Sequence, residues 1–203
     1  AVQTVPPAGY KPFYLSHYAR HGSRFLIDPD DYEQPLEVMR EADRNGVLTG
    51  LGKKTLCVLD SMSRMAKGRY GELTPLGARQ HRGIAERMYK NFPEIFKGQV
   101  EIDARSTVVI RCILSMMAEC NQLQALNPKL RFKNDASYHD MYYMNFSGDP
   151  HIKEMRKSPE VKAAKEAIRK EHIHPERLMK TLFANTDYLK WKVDAGELMT
   201  SLF

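Results

Sequence analysis

The segment Arg20-His21-Gly22-Ser23-Arg24 places two arginines and a histidine within five positions of the chain. Like charges this close repel one another, so the cluster indicates that an anion lies among them. Guanidinium groups bind phosphate oxygens in a bidentate way. Gly22 has no Cβ, which allows the backbone to approach a bound group closely. The residue types and their spacing therefore favour a phosphate site.

The chemistry that this cluster favours is nucleophilic attack on phosphorus. Neighbouring positive charges disfavour the charged form of His21 and should lower the pKa of its side chain. A neutral imidazole keeps the lone pair that attacks phosphorus, while the arginines stabilise charge on the phosphoryl oxygens. The alternative that composition alone leaves open is a surface charge cluster, or a histidine paired for structural reasons.

The cluster resembles the R-H-G-x-R signature of the histidine phosphatase superfamily, and two further segments agree with it. "LTPLG" at residues 73–77 resembles the L-T-x-x-G helix start of the histidine acid phosphatase branch, which holds the phytases and multiple inositol polyphosphate phosphatases. "ARSTVVIRCILSM" at residues 104–116 resembles the segment that supplies a further phosphate-binding arginine, and Arg111 falls at that position. The resemblance covers residues 12–125, and the Bacteroides-type inositol polyphosphate phosphatases are the most similar group.

The resemblance implies a role for each charged side chain of these motifs. His21 is the expected nucleophile and forms a phosphohistidine, which water hydrolyses in a second step. Arg20, Arg24 and Arg111 are expected to hold the transferred phosphate. We expect neither a metal nor a cofactor, an activity that peaks at acidic pH, and a periplasmic or secreted location.

The proton donor of the family is an acid in an H-D or H-A-E motif far toward the C-terminus, and no segment here matches it. His139-Asp140 and His174-Pro175-Glu176 imitate the motif but lie too early, and the second is typical of a helix start. Asp140 is a candidate for the substrate pocket, as is Arg105, for which a structural ion pair is the alternative. Because full-length members are roughly twice as long, we expect this chain to be one portion of a longer protein whose other half supplies the donor.

Three functions follow from these motifs. The first is a phosphomonoesterase that removes phosphates stepwise from inositol polyphosphates, which are dense polyanions suited to a basic cleft. The second is a phosphate-binding fragment that keeps the arginine pocket but does not turn substrate over. The third, a phosphoglycerate mutase-like transferase, shares R-H-G but agrees less well with "LTPLG" and the surroundings of Arg111.

The composition is that of an ordinary globular protein: 203 residues, 42% hydrophobic and 28% charged, with a net charge of +6. No apolar run reaches the about 20 residues that a membrane-spanning helix needs. Basic residues alternate with acids, as in "EVKAAKEAIRKEH", which is typical of a solvated helix and not of a nucleic-acid-binding stripe. Cys57, Cys112 and Cys120 are too few for a disulfide framework and are expected to be small buried hydrophobes.

Alternating strands and helices must position these motifs. Residues 12–19, "PFYLSHYA", are rich in aromatics and predict a buried strand that ends at the cluster, and residues 99–106 alternate and predict a second strand. Helices are predicted over residues 35–45, 51–67 and 108–126, and from Pro75 onward with Thr74 as the N-cap. This order predicts an α/β fold with helices on both faces of a sheet, in which ligands bind beyond the carboxyl ends of the strands.

The character of the chain changes after Pro128. Residues 1–127 are expected to form the N-terminal portion of an α/β phosphatase core. Residues 128–203 are expected to form a helical cap region, almost wholly helical from Pro150 and interrupted at the C-terminus. His17 is expected in the first strand as core or pocket wall, and His81 is expected to be exposed on its helix.

Overall fold

The structure is a computed structural model that describes residue 4 and residues 6–144, 149–185, 187 and 193–202. The chain forms two compact units. Unit 1 comprises Ala1–Arg24 and Glu72–Phe146, and unit 2 comprises Phe25–Gly71 and Ser147–Phe203. These boundaries differ from the one between residues 127 and 128, and the division into a core and a helical cap stays a prediction.

The fold is mixed α/β, with a small parallel sheet and many helices, which confirms the predicted fold class. The elements follow one another as α1 (Asp30–Arg44), α2 (Gly50–Ala66), α3 (Pro75–Asn91), β1 (Glu101–Arg105), α4 (Ile110–Leu126), β2 (Arg131–Asp135), α5 (Met141–Met144), α6 (Pro150–Lys157), α7 (Pro159–His172), α8 (Pro175–Leu182) and α9 (Ala195–Leu202).

The sheet of unit 1 pairs β1 with β2 in parallel, so that Glu101 lies opposite Arg131 and Arg105 lies opposite Asp135. Parallel neighbours need a crossover connection, and α4 supplies it. The predicted strand over residues 99–106 contains β1, whereas β2 was not predicted. Its sequence, "RFKND", carries one apolar side chain, Phe132, and so shows too little alternation to indicate a strand.

The core of unit 1 lies where α3 packs along α4. It is built from Ala85, Phe96, Leu123 and Leu130, with partly buried side chains such as Phe132 around them. Helix α3 begins where predicted, because the Thr74 hydroxyl accepts from the N–H of Gly77 and Pro75 occupies the first helical position. This packing fixes the two helices between which the R-H-G-x-R segment lies.

Residues 12–19 do not form the predicted buried strand. In the described part of the chain the sheet consists of β1 and β2 alone. Phe13, Tyr14 and Tyr18 are 94%, 74% and 75% exposed, while Leu15 packs against the core of unit 1. A segment rich in aromatic residues suits an extended backbone. A strand, however, also needs a neighbouring strand to pair with, and the composition of one segment does not show whether such a neighbour exists.

Unit 2 has a core of its own, made by α1, α2, α8, α9 and the loops beside them. The buried side chains are Met39, Ala42, Leu48, Met179, Leu182, Phe183 and Leu198. Helix α1 begins at Asp30, five residues before the predicted start at Pro35, because acidic side chains in its first turn favour that end of the helix dipole. The described residues after Pro150 are mostly helical, as predicted.

The three cysteines differ in their surroundings. Cys120 on α4 is buried as expected, and this burial, together with the charge of Glu119, raises the pKa of its thiol to about 11. Cys112 is half-buried. Cys57 is exposed on α2, so the expectation of a buried small hydrophobe was wrong at this position. The reason is that other apolar residues of α2 form the face that packs against α1 and α8.

Candidate functional site

The loop that carries His21 is fixed between α3 and α4. The backbone N–H of Gly22 donates to the Ser115 hydroxyl on α4 at 3.0 Å, and that hydroxyl donates to the carbonyl oxygen of Arg111 at 2.8 Å. On the other side Gly22 packs directly on Gly77 of α3, and a Cβ at either glycine would clash with the backbone of the opposite segment. Both glycines are therefore required by close approach of two backbones.

The L-T-P-L-G segment also holds the residue after Gly22. The carbonyl oxygen of Ser23 accepts from the Thr74 hydroxyl and from the Thr74 N–H, each at 2.9 Å. The side-chain oxygen of Gln80 accepts from the N–H of Ser23 at 2.8 Å and from its hydroxyl at 3.0 Å. The first turns of α3 thus set the backbone that carries the histidine.

His21 has two ring nitrogens with different roles. Its Nδ1 lies 2.8 Å from the carbonyl oxygen of Gly22. A carbonyl oxygen only accepts, so Nδ1 carries the proton of the neutral ring. The lone pair of that ring is then on Nε2, which is the nitrogen available for attack on an electrophile.

The surroundings of His21 favour the neutral ring. Burial of the side chain is the largest effect and lowers the pKa of His21; the hydrogen bond to Gly22 opposes this, and the charges of Arg111, Arg20 and Arg24 lower the pKa further. The structure therefore brings the three arginines predicted as phosphate ligands within electrostatic reach of His21. Their catalytic and binding roles stay predictions.

Different elements position the three arginines. Arg20 immediately precedes His21 in the loop. Arg24 forms an isolated antiparallel bridge with Leu73, just before α3. Arg111 lies in the first turn of α4, one turn before the Ser115 hydroxyl that binds the loop. The N-terminal end of a helix also favours anions, which strengthens the positive potential around His21.

A cavity of about 390 Å³ opens beside His21. One wall is the loop at Arg20, His21 and Gly22, and the other is α3. The α3 side chains that line it are Arg79, Gln80, His81, Ile84 and Arg87, together with Gly83. Arg24 and Arg111 do not line this cavity, so Arg20 is the arginine of the motif that shares it with His21.

His81 is buried, with 4% of its surface exposed, and the expectation of an exposed side chain was wrong. Its Nδ1 lies 2.8 Å from a carboxylate oxygen of Glu119 on α4, and its Nε2 lies 3.1 Å from the carbonyl oxygen of Arg20. These two contacts tie the backbone of Arg20 to both α3 and α4.

His17 contacts the other oxygen of the same carboxylate. Its Nε2 lies 3.5 Å from Glu119 Oε1, and its side chain is 36% exposed. The histidine thus lies at the edge of the packing between the N-terminal segment and α4, and not in a strand. Sequence reasoning missed Glu119, Ser115 and Gln80, because these single polar residues become a constellation only when α3 and α4 pack together.

Arg105 and Asp140 lie together but apart from the cavity beside His21, which neither of them lines. The Asp140 carboxylate is buried and accepts from Arg105 Nη1 at 3.1 Å. Arg105 also binds Asp103, whose hydrogen bond is the largest cause of the raised pKa of the guanidinium group. Of the two interpretations of Arg105, this geometry agrees with the structural ion pair.

The two segments that imitate the donor motif have structural surroundings of their own. His139 is exposed, and the carboxylate of its neighbour Asp140 accepts a hydrogen bond from Arg105. His174, in unit 2, precedes α8, and its Nε2 donates to the carbonyl oxygen of Glu171 at 2.8 Å; Glu176 lies in the first turn of that helix, as predicted. Among the described residues, no group of three or more histidine, cysteine, aspartate or glutamate side chains could hold a metal ion.

Comparison with protein families and with curated proteins gave no match. The fold, in contrast, is similar to solved structures. The multiple inositol polyphosphate phosphatase of Bifidobacterium longum in complex with phosphate matches 93% of this chain with a TM-score of 0.63 and 18% identity. The same protein in complex with inositol hexasulfate matches 93% of the chain with a TM-score of 0.51 and 20% identity.

These matches show that the chain has the fold of the matched part of that phosphatase. The chain spans less than half of those structures, 45% and 46% of their lengths. No helix among the described residues is both long and apolar enough to cross a membrane.

Proposed function

We propose that this chain carries the nucleophile of a phosphomonoesterase that acts on inositol polyphosphates. The single observation on which the proposal rests is the state of His21. Its Nδ1 faces a carbonyl acceptor, which leaves the Nε2 lone pair for attack, and its pKa is lowered by burial and by three guanidinium groups. The similarity of the fold to a phosphatase solved with phosphate and with inositol hexasulfate supports the choice of substrate class.

The reaction has two steps. In the first, Nε2 of His21 forms a bond to phosphorus as the bond between phosphorus and the ester oxygen breaks, and the leaving alkoxide takes a proton from a general acid. In the second, water attacks the phosphohistidine and gives a proton to the conjugate base of the general acid, the nitrogen–phosphorus bond breaks, and inorganic phosphate leaves. Arg20, Arg24 and Arg111 would stabilise the charge on the phosphoryl oxygens in both steps.

The general acid, we propose, comes from a second half of the protein, either as further chain or as a separate one. No carboxyl group lines the cavity beside His21 in the part of the chain that the structure describes. The coverage of less than half of the similar structures agrees with this division. Residues 10–18 and 138–143 expose aromatic side chains that a second half would cover: Tyr10, Phe13, Tyr14, Tyr18, Tyr138, Tyr142 and Tyr143. A periplasmic or secreted location is part of the same proposal.

Replacement of the nucleophile tests this function. His21→Ala should abolish phosphate release from inositol hexakisphosphate by the protein together with its second half, and should abolish the phosphohistidine signal in ³¹P NMR spectra of the acid-quenched protein. Because the His21 side chain is only half-buried, the variant should keep the circular dichroism spectrum of the parent. Normal phosphate release by a folded His21→Ala variant would refute the assignment.

Phosphate binding without turnover is the second candidate function, and the same observation that no carboxyl group lines the cavity favours it. The two functions differ in one measurement, the formation of a phosphohistidine, made on the chain alone and with the second half. If the chain binds inositol hexakisphosphate, and a phosphohistidine forms but decays slowly, the chain is an enzyme without its acid. If it binds and no phosphohistidine forms, with or without the second half, the chain is a binding module.

A further inference from the structure

A stripe of α3 faces the cavity beside His21, and the mechanism above does not use it. Arg79, Gly83 and Arg87 follow one another at intervals of four residues, so they lie on one face of the helix. All three line the cavity, on the wall opposite Arg20 and His21. The cavity wall therefore carries two guanidinium groups in addition to the one supplied by the R-H-G-x-R segment.

Neither of these two guanidinium groups forms an ion pair with a carboxylate in the part of the chain that the structure describes. Arg40, Arg64 and Arg105 each form an ion pair at 2.7–3.1 Å, whereas among the described residues neither Arg79 nor Arg87 forms one. No acidic side chain lines the cavity either. The positive charges of this wall are thus not neutralised within the described structure, and their field attracts anions into the cavity.

The Arg87 side chain lies over Gly83. A Cβ added at residue 83 would stand 3.2 Å from Nη1 of Arg87. The guanidinium group therefore occupies the space above the glycine, back along the helix and toward Arg79. Glycine costs a helix about 1 kcal/mol relative to alanine, and here its lack of a side chain leaves room for a charged group at the cavity wall.

We propose that Arg79 and Arg87 form a second anion subsite, which binds a phosphate group of the substrate other than the one that His21 attacks. The inference rests on the proposed function and deepens it. Arg79 and Arg87 are separated by about 12 Å along the helix axis, from a rise of about 1.5 Å per residue, so the wall can contact more than one anionic group of a compact polyanion. The subsite makes the protein selective for substrates with several phosphate groups over simple phosphate monoesters.

The test compares two probes by isothermal titration calorimetry on the 203-residue chain. Inositol hexasulfate serves as a polyanion that cannot be hydrolysed, and inorganic phosphate serves as the single anion. Arg79→Ala and Arg87→Ala should each weaken hexasulfate binding about tenfold, as expected for loss of a charge-assisted contact, and should leave phosphate binding within about twofold of the parent. Arg82→Ala is the matched control, because Arg82 is an exposed arginine of the same helix that does not line the cavity.

A second variant controls for changes to the helix itself. Gly83→Ala keeps every charge and favours the helix, and the flexible Arg87 side chain has to move by only a few tenths of an ångström to make room for the new Cβ. This variant should therefore keep hexasulfate binding within about twofold of the parent without lowering the melting temperature. An equal loss of hexasulfate affinity in Arg82→Ala, or unchanged affinity in Arg79→Ala and Arg87→Ala, would overturn the subsite. Equal affinity of the parent for both probes would also overturn it and leave the proposed function standing. If hexasulfate binds through α3 but inositol hexakisphosphate gives no phosphohistidine in the chain together with its second half, the proposed function is refuted and the anion site on α3 stands.

Discussion

At the scale of single residues, the geometry of the site depends on what the two ring nitrogens of His21 and of His81 contact. His21 donates from Nδ1 to the Gly22 carbonyl and keeps Nε2 for chemistry. Both ring nitrogens of His81 contact protein groups, the Glu119 carboxylate and the Arg20 carbonyl oxygen. The two histidines therefore differ in role, because the buried His81 fixes the backbone that carries the half-buried His21.

The first prediction concerns the pKa of His21. Burial and the three arginines should place this pKa below the ordinary histidine value of about 6.5. An NMR titration of the ring resonances of the chain should therefore show His21 with a midpoint below the ordinary value of about 6.5. Added inorganic phosphate should raise the pKa of His21, because a bound anion offsets the guanidinium charges. A midpoint at or above about 6.5 without phosphate would contradict the electrostatic argument.

The same shift makes folding stability depend on pH. Between about 6.5 and the lower pKa of folded His21, the unfolded chain binds the proton and the folded chain does not. The contribution of His21 to the free energy of unfolding therefore falls as the pH falls through this window. The variant His21→Asn should lose less stability than the parent between pH 7.5 and the acidic end of that window, measured by urea denaturation; equal losses would contradict the shift.

The sequence points to those candidate site residues that lie in a contiguous motif. Arg20, His21 and Arg24 stand in one segment, and Arg111 stands in a second segment with a recognisable pattern. Glu119 and Ser115 could not be predicted, because a glutamate and a serine on a mostly apolar helix are common. Their role depends on the packing of α4 against the loop, which brings Ser115 to the N–H of Gly22 across 93 positions of the chain.

At the scale of elements, helix starts could be predicted and strand pairing could not. Thr74 supplies the hydroxyl that caps the helix, and the ring of Pro75 holds φ at a helical value, so the start of α3 is encoded locally. The partner of β1 is a polar segment about 30 positions later, and residues 12–19 have a strand-like composition without a partner in the described sheet. Local sequence preference determines where a helix starts, whereas long-range contacts determine which strands pair.

A third prediction concerns the contact between α3 and the loop. Gly77→Ala would drive a Cβ into the backbone of Ser23 and the Leu73 side chain, so helix and loop must separate. We expect a loss of about 3 kcal/mol in the free energy of unfolding, the upper end of the usual cost of overpacking, and a loss of phosphate binding. Urea denaturation and calorimetry measure the two effects.

A glycine in another helix provides the matched control for Gly77. Gly50 begins α2, has no atom within 4 Å of an added Cβ, and does not have a positive φ. Gly50→Ala should leave stability unchanged or raise it by up to about 1 kcal/mol, because alanine favours helix, and should leave phosphate binding unchanged. If Gly77→Ala behaved in the same way, the close approach of the two backbones would not hold the site.

At the scale of the whole molecule, the large apolar side chains that unit 1 exposes include aromatics, whereas those that unit 2 exposes among the described residues are aliphatic. Unit 1 exposes Phe13 almost fully, and Tyr18 donates its hydroxyl to the carbonyl oxygen of Met144 at 3.0 Å, which brings the N-terminal segment beside residues 138–143. The exposed aromatic side chains of these two segments therefore lie near one another. Apolar surface of this kind, on a chain that spans less than half of the similar structures, is where the proposed second half would pack.

The last prediction is that the exposed aromatic side chains of unit 1 bind a hydrophobic dye in the chain alone and not when the second half is present. The double variant Phe13→Ser, Tyr14→Ser should lower the fluorescence of anilinonaphthalene sulfonate bound to the chain and change stability by less than about 0.5 kcal/mol, because both side chains are mostly exposed. Ile168→Ser, at an exposed apolar residue of α7 in unit 2, should change the fluorescence less. With the second half present the parent should bind little dye and the double variant should assemble less tightly. Dye binding that neither the double substitution nor the second half reduces would mean that these aromatics do not form the surface on which the second half packs.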